Sequence, residues 1–254
     1  FNSREGVWRA IESVRDQTYQ NIQIIVVNDN IDDHINEEIK RRFKSVCYYH
    51  DGVNRGGGGA RNIGIGLAAG EFVAFLDDDD FYLPGKIKFL VDKALSNPGF
   101  DAYFGKLEGL NRSSISNDSN VIFDGVMLQS INDVSLLHTN TSLISRTVFD
   151  SLLFYEKLRK FQDTQFHIEL ILKGRVMLYD KEVAAWNKNN SSDQITRLIT
   201  MADYTKSIKS YSLMLNYLST RGIEKTDLLY LRFKLLKHVF GSACRYSFRK
   251  VGFR

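Results

Sequence analysis

Residues 54–87, NRGGGGARNIGIGLAAGEFVAFLDDDDFYLPGKI, decide the fold. A glycine stretch runs into a helix from Gly56 to Ala69, and a buried strand follows at Glu71–Leu76. That strand ends on four consecutive aspartates, Asp77–Asp80. Pro84, a residue favoured in the first turn of a helix, then opens a helix reaching about Leu95. Upstream the same rhythm holds. A helix over Glu5–Asp16 carries Val7, Ile11 and Val14 on one face, and the strand Ile22–Val27 ends at Asn28-Asp29-Asn30. A polar helix near Asp33–Phe43 and a short strand near Val46–Tyr49 complete this half. Short strands alternating with helices predict an α/β fold with a mostly parallel sheet covered on both faces. In such sheets ligands bind beyond the carboxyl ends of the strands, where Asp29 and Asp77–Asp80 both fall.

From residue 101 the pattern loosens. Strands are expected at Asp101–Leu107 and Asn120–Phe123 around a polar loop at Asn111–Ser119, then a helix at Phe161–Lys173. Two short strands, Val176–Tyr179 and Glu182–Ala185, precede a polar loop at Asn187–Gln194. Helices over about Leu198–Ser219 and Asp227–Phe240 close the chain. Asn111-Arg-Ser and Asn140-Thr-Ser match the glycosylation sequon and are read as chance matches.

The 254 residues are 43% hydrophobic and 25% charged, which excludes a disordered or fibrous chain. Cys47 and Cys244 cannot make a disulfide scaffold, and no cysteine or histidine cluster suggests zinc; both are expected to be reduced thiols. The net charge of +4 is unevenly spread. Residues 221–254 hold nine lysines and arginines against Glu224 and Asp227, so the rest of the chain is slightly acidic. That profile does not fit nucleic acid, whose basic surface is built into the fold, and it predicts peripheral contact with an anionic membrane surface through the tail.

The acidic run is the strongest chemical signal. Adjacent carboxylates about 5 Å apart repel by roughly 3 kcal/mol per pair at an effective dielectric of 20. Oxygen ligands of this kind suit a hard cation, Mg²⁺ or Mn²⁺, which takes one or two carboxylates and completes its shell with phosphates and water. The glycine run lacks the Gly-Lys-Ser/Thr ending of a phosphate loop and the Gly-x-Gly-x-x-Gly of a dinucleotide fold, which sets aside ATPase and dehydrogenase readings. Gly56–Gly59 instead offer backbone freedom and open amides at a helix start.

With these residues in place, the stretches FNSREGVWRAIESVRDQTYQNIQIIVVND and 54–87 resemble glycosyltransferase family 2, the inverting nucleotide-sugar enzymes of GT-A fold. The resemblance covers residues 1–100 closely and continues loosely to about 197. It implies a catalytic domain over 1–197, with a nucleotide-binding part at 1–105 and an acceptor-side part at 106–197, followed by a basic helical extension at 198–254. Phe1 falls where the family stacks an aromatic on uracil, and Asp29 on the acid that hydrogen-bonds the base, with Asn28 in place of a usual Asp. Asp77-Asp78-Asp79 matches the Asp-x-Asp motif: Asp79 would bind Mn²⁺ or Mg²⁺, and Asp77 or Asp78 would reach the ribose. Arg61 and Asn62 match the Arg-Asn beside the nucleotide. Asp163, after Gln162 in place of a usual Glu, matches the general base, a role compatible with an N-cap at that helix start. Arg197, after a loop resembling the family's mobile one, would approach the diphosphate, and His138 receives no role.

The family places an apolar strand immediately before the position of Phe1, so the resemblance also implies a longer protein that supplies it. The implied activity is sugar transfer from a UDP-sugar to a hydroxyl of a glycan or lipid-linked glycan, in bacterial surface polysaccharide synthesis. The implied location is cytoplasmic, peripheral on the inner face of the cell membrane. Two other classes stay open at this point: a non-catalytic sugar-nucleotide-binding subunit, and a nucleotidyltransferase, whose basic glycine-rich loop after the first strand is not found after Asn2.

Overall fold

The computed structural model describes residues 4–109, 121–124, 137–186 and 201–234. Helix α1 (Arg4–Arg15) buries Val7, Trp8 and Ile11, one turn apart, against Ile39 and Phe43. Strand β1 (Ile25–Val27) pairs in parallel with β2 (Cys47–Tyr49), and α2 (Asn36–Arg42) makes the crossover. Helix α3 (Gly56–Leu67) leads to β3 (Phe72–Val73) and β4 (Asp80–Tyr82). Next come α4 (Lys86–Ser96), β5 (Ala102–Leu107), β6 (Val121–Asp124) and β7 (Ser142–Ser145). Helix α5 (Gln162–Lys173), β8 (Arg175–Trp186) and α6 (Met201–Ser219) follow, and another helix is described over 225–234. Among the described residues no helix is long and apolar enough to cross a membrane.

The larger sheet runs β3-β7-β5-β8-β4, with β6 also on β8. The expected α/β architecture is present, and its sheet is mixed rather than mostly parallel. Strand β8 is parallel to β5, while β7 lies antiparallel between β3 and β5, and β4 and β6 lie antiparallel on β8. The reason is connectivity. The helical crossovers through α4 and α5 precede the parallel pair β5 and β8, whereas β4, which follows β3 through the acidic turn without a helix, pairs antiparallel. The strands expected at Ile22–Val27 and Glu71–Leu76 are shortened to Ile25–Val27 and Phe72–Val73, because each has a ladder partner on one side only among the described residues.

The two strands expected at 176–179 and 182–185 are one continuous β8. Its register against β5 shifts around Gly105. A Cβ at Gly105 would lie 2.6 Å from both methyls of Val183, so only glycine lets the two backbones approach through that shift. Pro84 precedes its helix instead of opening it: Gly85, at φ +78°, makes the entry turn.

Both faces of the sheet are covered. On one, Ile87, Leu90 and Val91 of α4 pack on Tyr103, Leu107, Leu143 and Met177. On the other, α5 buries every residue from Gln165 to Ile171, and Phe166 stacks on Phe154 with ring centres 4.4 Å apart. Tyr211, Met214, Leu215 and Leu218 of α6, with Ile223 and Leu231 beyond it, join this same core. The helices after residue 200 therefore share the hydrophobic core that carries α5.

Candidate active site

A large cavity runs between α1, the β1 and β3 segments and α4, and one end of it forms a cleft lined by α3, the acidic turn and the first turn of α5. Asp29, Gly56, Arg61, Asp77–Asp80, His138, Asp163 and Trp186 all reach it. Residues far apart in sequence thus share one rim.

Asp29 follows β1 and grips the start of α3. Its two carboxylate oxygens accept the backbone N–H groups of Arg55 and Gly56, each at 2.7 Å. The amides expected to be open at this glycine run are therefore partly taken by a neighbouring carboxylate, which complements the positive end of the helix. Gly56 has φ +77°, and a Cβ there would meet the Arg159 guanidinium at 2.7 Å, so the turn requires glycine. Asn28, beside Asp29, is buried and donates to the Tyr48 hydroxyl at 2.9 Å, which fastens the end of β1 to β2.

Arg61, one turn into α3, is the hub. Its Nη2 donates to Asp77 at 2.6 Å, and its Nη1 lies 3.2 Å from Asp163 Oδ1. The guanidinium sits over the Phe154 ring, 5.4 Å from its centre. One cation therefore links the end of the β3 segment to α5. Burial alone would discharge Arg61, but Asp163 and Asp77 overcome that and raise its pKa further.

Asn62 does not line the cleft. Its amide donates to the Phe154 carbonyl and to Glu156, and its oxygen accepts the Phe154 N–H at 3.0 Å. All three contacts fasten α3 to the segment before α5, which seats Arg61. Phe1, Arg197 and the loop at 187–194 lie outside the described residues.

Asp163 is the second residue of α5 and makes no capping hydrogen bond; the N-cap position is Phe161, at φ +65°. Burial pushes the Asp163 carboxyl up. Arg61 first of all, with the His167 and His138 rings and the Thr139 side chain close by, outweighs burial and holds it below the ordinary carboxylate range. It is ionised at neutral pH, with 37% of its side chain open to the cleft. His167, one turn on, is pushed down to about 4, chiefly by burial, and is neutral. Burial also lowers His138, whose ring meets Trp186 edge-on at 5.7 Å.

The acidic turn is a contrast. Asp79 is pushed up, first by burial and then by Asp77 and Asp78. Among the described residues no three metal-ligating side chains form a closed cage. Asp79 with its two neighbours instead offers one or two oxygen ligands in a locally over-negative turn. That donor set fits Mg²⁺ or Mn²⁺ completed by phosphate and water. The fit is chemical and concerns Asp79 first.

Two residues at this site have no counterpart in the sequence reading. Asn140 is fully buried and touches both ends of the acidic turn, and Lys86 lies buried beneath it. The one local pattern, the sequon match at Asn140, does not point to this role, and Lys86 carries none.

The model of Glycosyl transferase family 2 matches residues 1–153. An uncharacterized glycosyltransferase of Rickettsia felis is 30% identical over 188 residues, 72% of this chain and 31% of that protein. The GalNAc(5)-diNAcBac-PP-undecaprenol beta-1,3-glucosyltransferase of Campylobacter jejuni is 31% identical over 139 residues, 53% of this chain and 43% of that protein. The chain thus spans less than half the length of either relative. Among solved structures, S. aureus TarS 1–349 in complex with UDP-GlcNAc superposes with a TM-score of 0.71 at 18% identity, over 95% of this chain and 70% of that one. Its likeness shows the GT-A fold, and with the family match over more than half of its residues the chain belongs to glycosyltransferase family 2.

Proposed function

We propose that this chain carries the catalytic centre of an inverting glycosyltransferase that moves a sugar from a UDP-sugar to a hydroxyl of a glycan or lipid-linked glycan. The observation that carries the reading is the Arg61 bridge, which puts Asp163 and the Asp77 end of the acidic turn on one guanidinium in one cleft. Asp163 is ionised and open to the cleft, as a base must be. It takes the proton of the acceptor hydroxyl while that oxygen attacks the anomeric carbon, and the bond from that carbon to the diphosphate breaks. Configuration inverts, so an α-linked donor gives a β-linked product. His167 stays neutral and leaves Asp163 as the carboxylate acting at that end.

Asp79, with Asp77 or Asp78 directed to the ribose, would hold the divalent cation. Such a cation offsets the charge developing on the departing diphosphate. Arg61 lies beside the turn and adds fixed positive charge there. The lipid-linked acceptor is supported by the Campylobacter relative, whose name describes an undecaprenol-diphosphate substrate. Surface polysaccharide synthesis and a cytoplasmic, membrane-peripheral location follow from that acceptor class. The exposed Leu229 and Phe233 beside Lys225 and Arg232 support contact with an anionic membrane surface.

The test is a panel of UDP-sugars offered with Mn²⁺, with Mg²⁺ and with chelator, reading UDP release and the melting temperature. UDP should raise the melting temperature only with the metal present, and one donor should give acceptor-dependent UDP release. Equal stabilisation in chelator would remove the metal role of Asp79. UDP binding without release from any donor would leave a binding subunit.

A further inference from the structure

The acidic turn does not hold itself. Asp80 N–H reaches back to the Asp77 carbonyl at 3.2 Å, a weak closure for a segment of adjacent carboxylates. A side chain from a distant part of the chain completes it. Asn140 lies in a single 3₁₀ turn, Thr139–Thr141, directly before β7, and is fully buried. Its Oδ1 accepts the Asp77 N–H at 3.1 Å, while its Nδ2 donates to the Asp80 carboxylate in a short contact. One amide thus spans both ends of the turn. Only a side chain with a donor and an acceptor on one planar group satisfies a backbone N–H and a carboxylate together.

Asn140 is itself held. Lys86 Nζ donates to the Asn140 carbonyl at 2.7 Å and lies 3.4 Å above the Tyr82 ring, and the Tyr82 hydroxyl donates to the Phe75 carbonyl at 2.7 Å. On the other side, the Asn140 N–H points to His138 Nδ1 at 3.3 Å. Side-chain amide, backbone carbonyl and backbone N–H of one fully buried residue are therefore all engaged. A buried polar group whose partner is removed costs its full desolvation, so such a network admits few alternative arrangements.

We propose that Asn140, seated by Lys86, is the positioning residue that clamps the acidic turn in the form that presents Asp77 and Asp79 to the cleft. The effect on nucleotide and cation binding rests on the glycosyltransferase reading above; the clamp itself does not. Asn140 is fully buried and does not line the cleft, so it acts through the turn. Its distance in sequence, 63 residues from Asp77 and 60 from Asp80, is what makes the turn's shape depend on the β7 side of the fold.

The experiment is a charge-for-amide exchange read two ways. Asn140→Asp keeps the shape but sets a second carboxylate against Asp80. The double variant Asn140→Asp with Asp80→Asn restores one amide and one carboxylate with the donor on the other side. Hydrogen exchange of backbone amides at 77–82, without ligand, should quicken about tenfold or more in the single variant and return in the double. UDP affinity with Mn²⁺ should fall and recover in parallel, with melting temperatures of single and double variants compared to separate unfolding from loosening. Lys86→Met serves as a second entry if Asn140→Asp fails to fold, and should quicken the same amides by a smaller factor. Unchanged exchange at 77–82 in both folded single variants overturns the clamp, whatever UDP does. Exchange that behaves as stated in a parent that binds no UDP upholds the clamp and removes the glycosyltransferase reading instead.

Discussion

The acidic turn after β3 and the first turn of α5 face one cleft and place their carboxylates in opposite surroundings. Asp79 is half-buried beside Asp77 and Asp78, and burial and both neighbours raise it. Asp163 suffers the same burial penalty, but Arg61 beside it reverses the sign. The turn is short of positive charge and suits a cation supplied from outside, while α5 has its cation built in from α3. Contrasting environments for neighbouring carboxylates are how one site separates ligand binding from proton transfer. The two regions are not independent, because Arg61 contacts both.

The sharpest way to break this division is Asp163→Asn. The side chain makes no cap, so the fold should survive, and the amide cannot take the acceptor proton. Transfer should drop by about 10²–10⁴ with metal-dependent UDP affinity within a few-fold of the parent. A variant that turns over at the parent rate would place the base elsewhere. Asp79→Ala should divide the other way. Removing a charged partner from such a complex costs about 2–5 kcal/mol, so titration calorimetry should show UDP with Mn²⁺ binding on the order of 30- to 5000-fold more weakly. If affinity holds and only turnover falls, the turn does not do the binding.

The places of the residues proposed for the donor side were legible in sequence because they sit next to the elements that carry them, while their roles came from the resemblance. Asp29 and Asp77–Asp79 follow strands, and Arg61 lies in the first turns of a helix, so local pattern locates them. The matching to α5 depended on resemblance, since one acid after Phe161 has no periodic signal. Lys86 and Asn140 were invisible for a physical reason: a buried lysine on α4 and a buried asparagine in a polar stretch acquire meaning only when β7 is laid between β3 and β5. The mixed directions of the sheet were hidden likewise, because strand pairing is set by partners that single-strand patterning does not contain. Asn62 shows the converse: its motif position suggested nucleotide, and the packing of α3 uses its amide.

A smaller effect tests whether α5 is held rigidly behind Asp163. Glu169, two turns along, is fully buried and meets Arg221 at 2.8 Å, Lys173 at 3.0 Å and Gln165 at 2.6 Å. Arg221 also donates to the Ser151 carbonyl at 2.9 Å, joining the end of α6 to the core. Glu169→Ala should lower stability by about 1.5–3 kcal/mol, measured by denaturant unfolding, since it leaves charged donors without their acceptor. Loss of transfer at full stability would show that this network tunes Asp163 directly instead of bracing the helix.

The smallest effect is the most diagnostic, because it reads the Arg61 bridge itself. In the proposed role Asp163 takes a proton only when ionised, so kcat/KM for the acceptor should fall as pH drops through its pKa. Arg61 lowers that pKa, and removing the guanidinium must raise it. Arg61→Gln should therefore move the acid limb of the profile to higher pH by about one unit, the low end of what a neighbouring arginine contributes. The shift stays near that end because part of the Asp163 side chain remains open to the cleft and to water. The profile is to be measured at saturating donor, since Asp77 loses its partner in the same variant. Arg61→Lys keeps a positive charge on α3 and should leave the limb close to the parent's. A limb that stays in place in Arg61→Gln would mean that the cation serves the acidic turn alone, and the contrast drawn between the two carboxylate regions would fail.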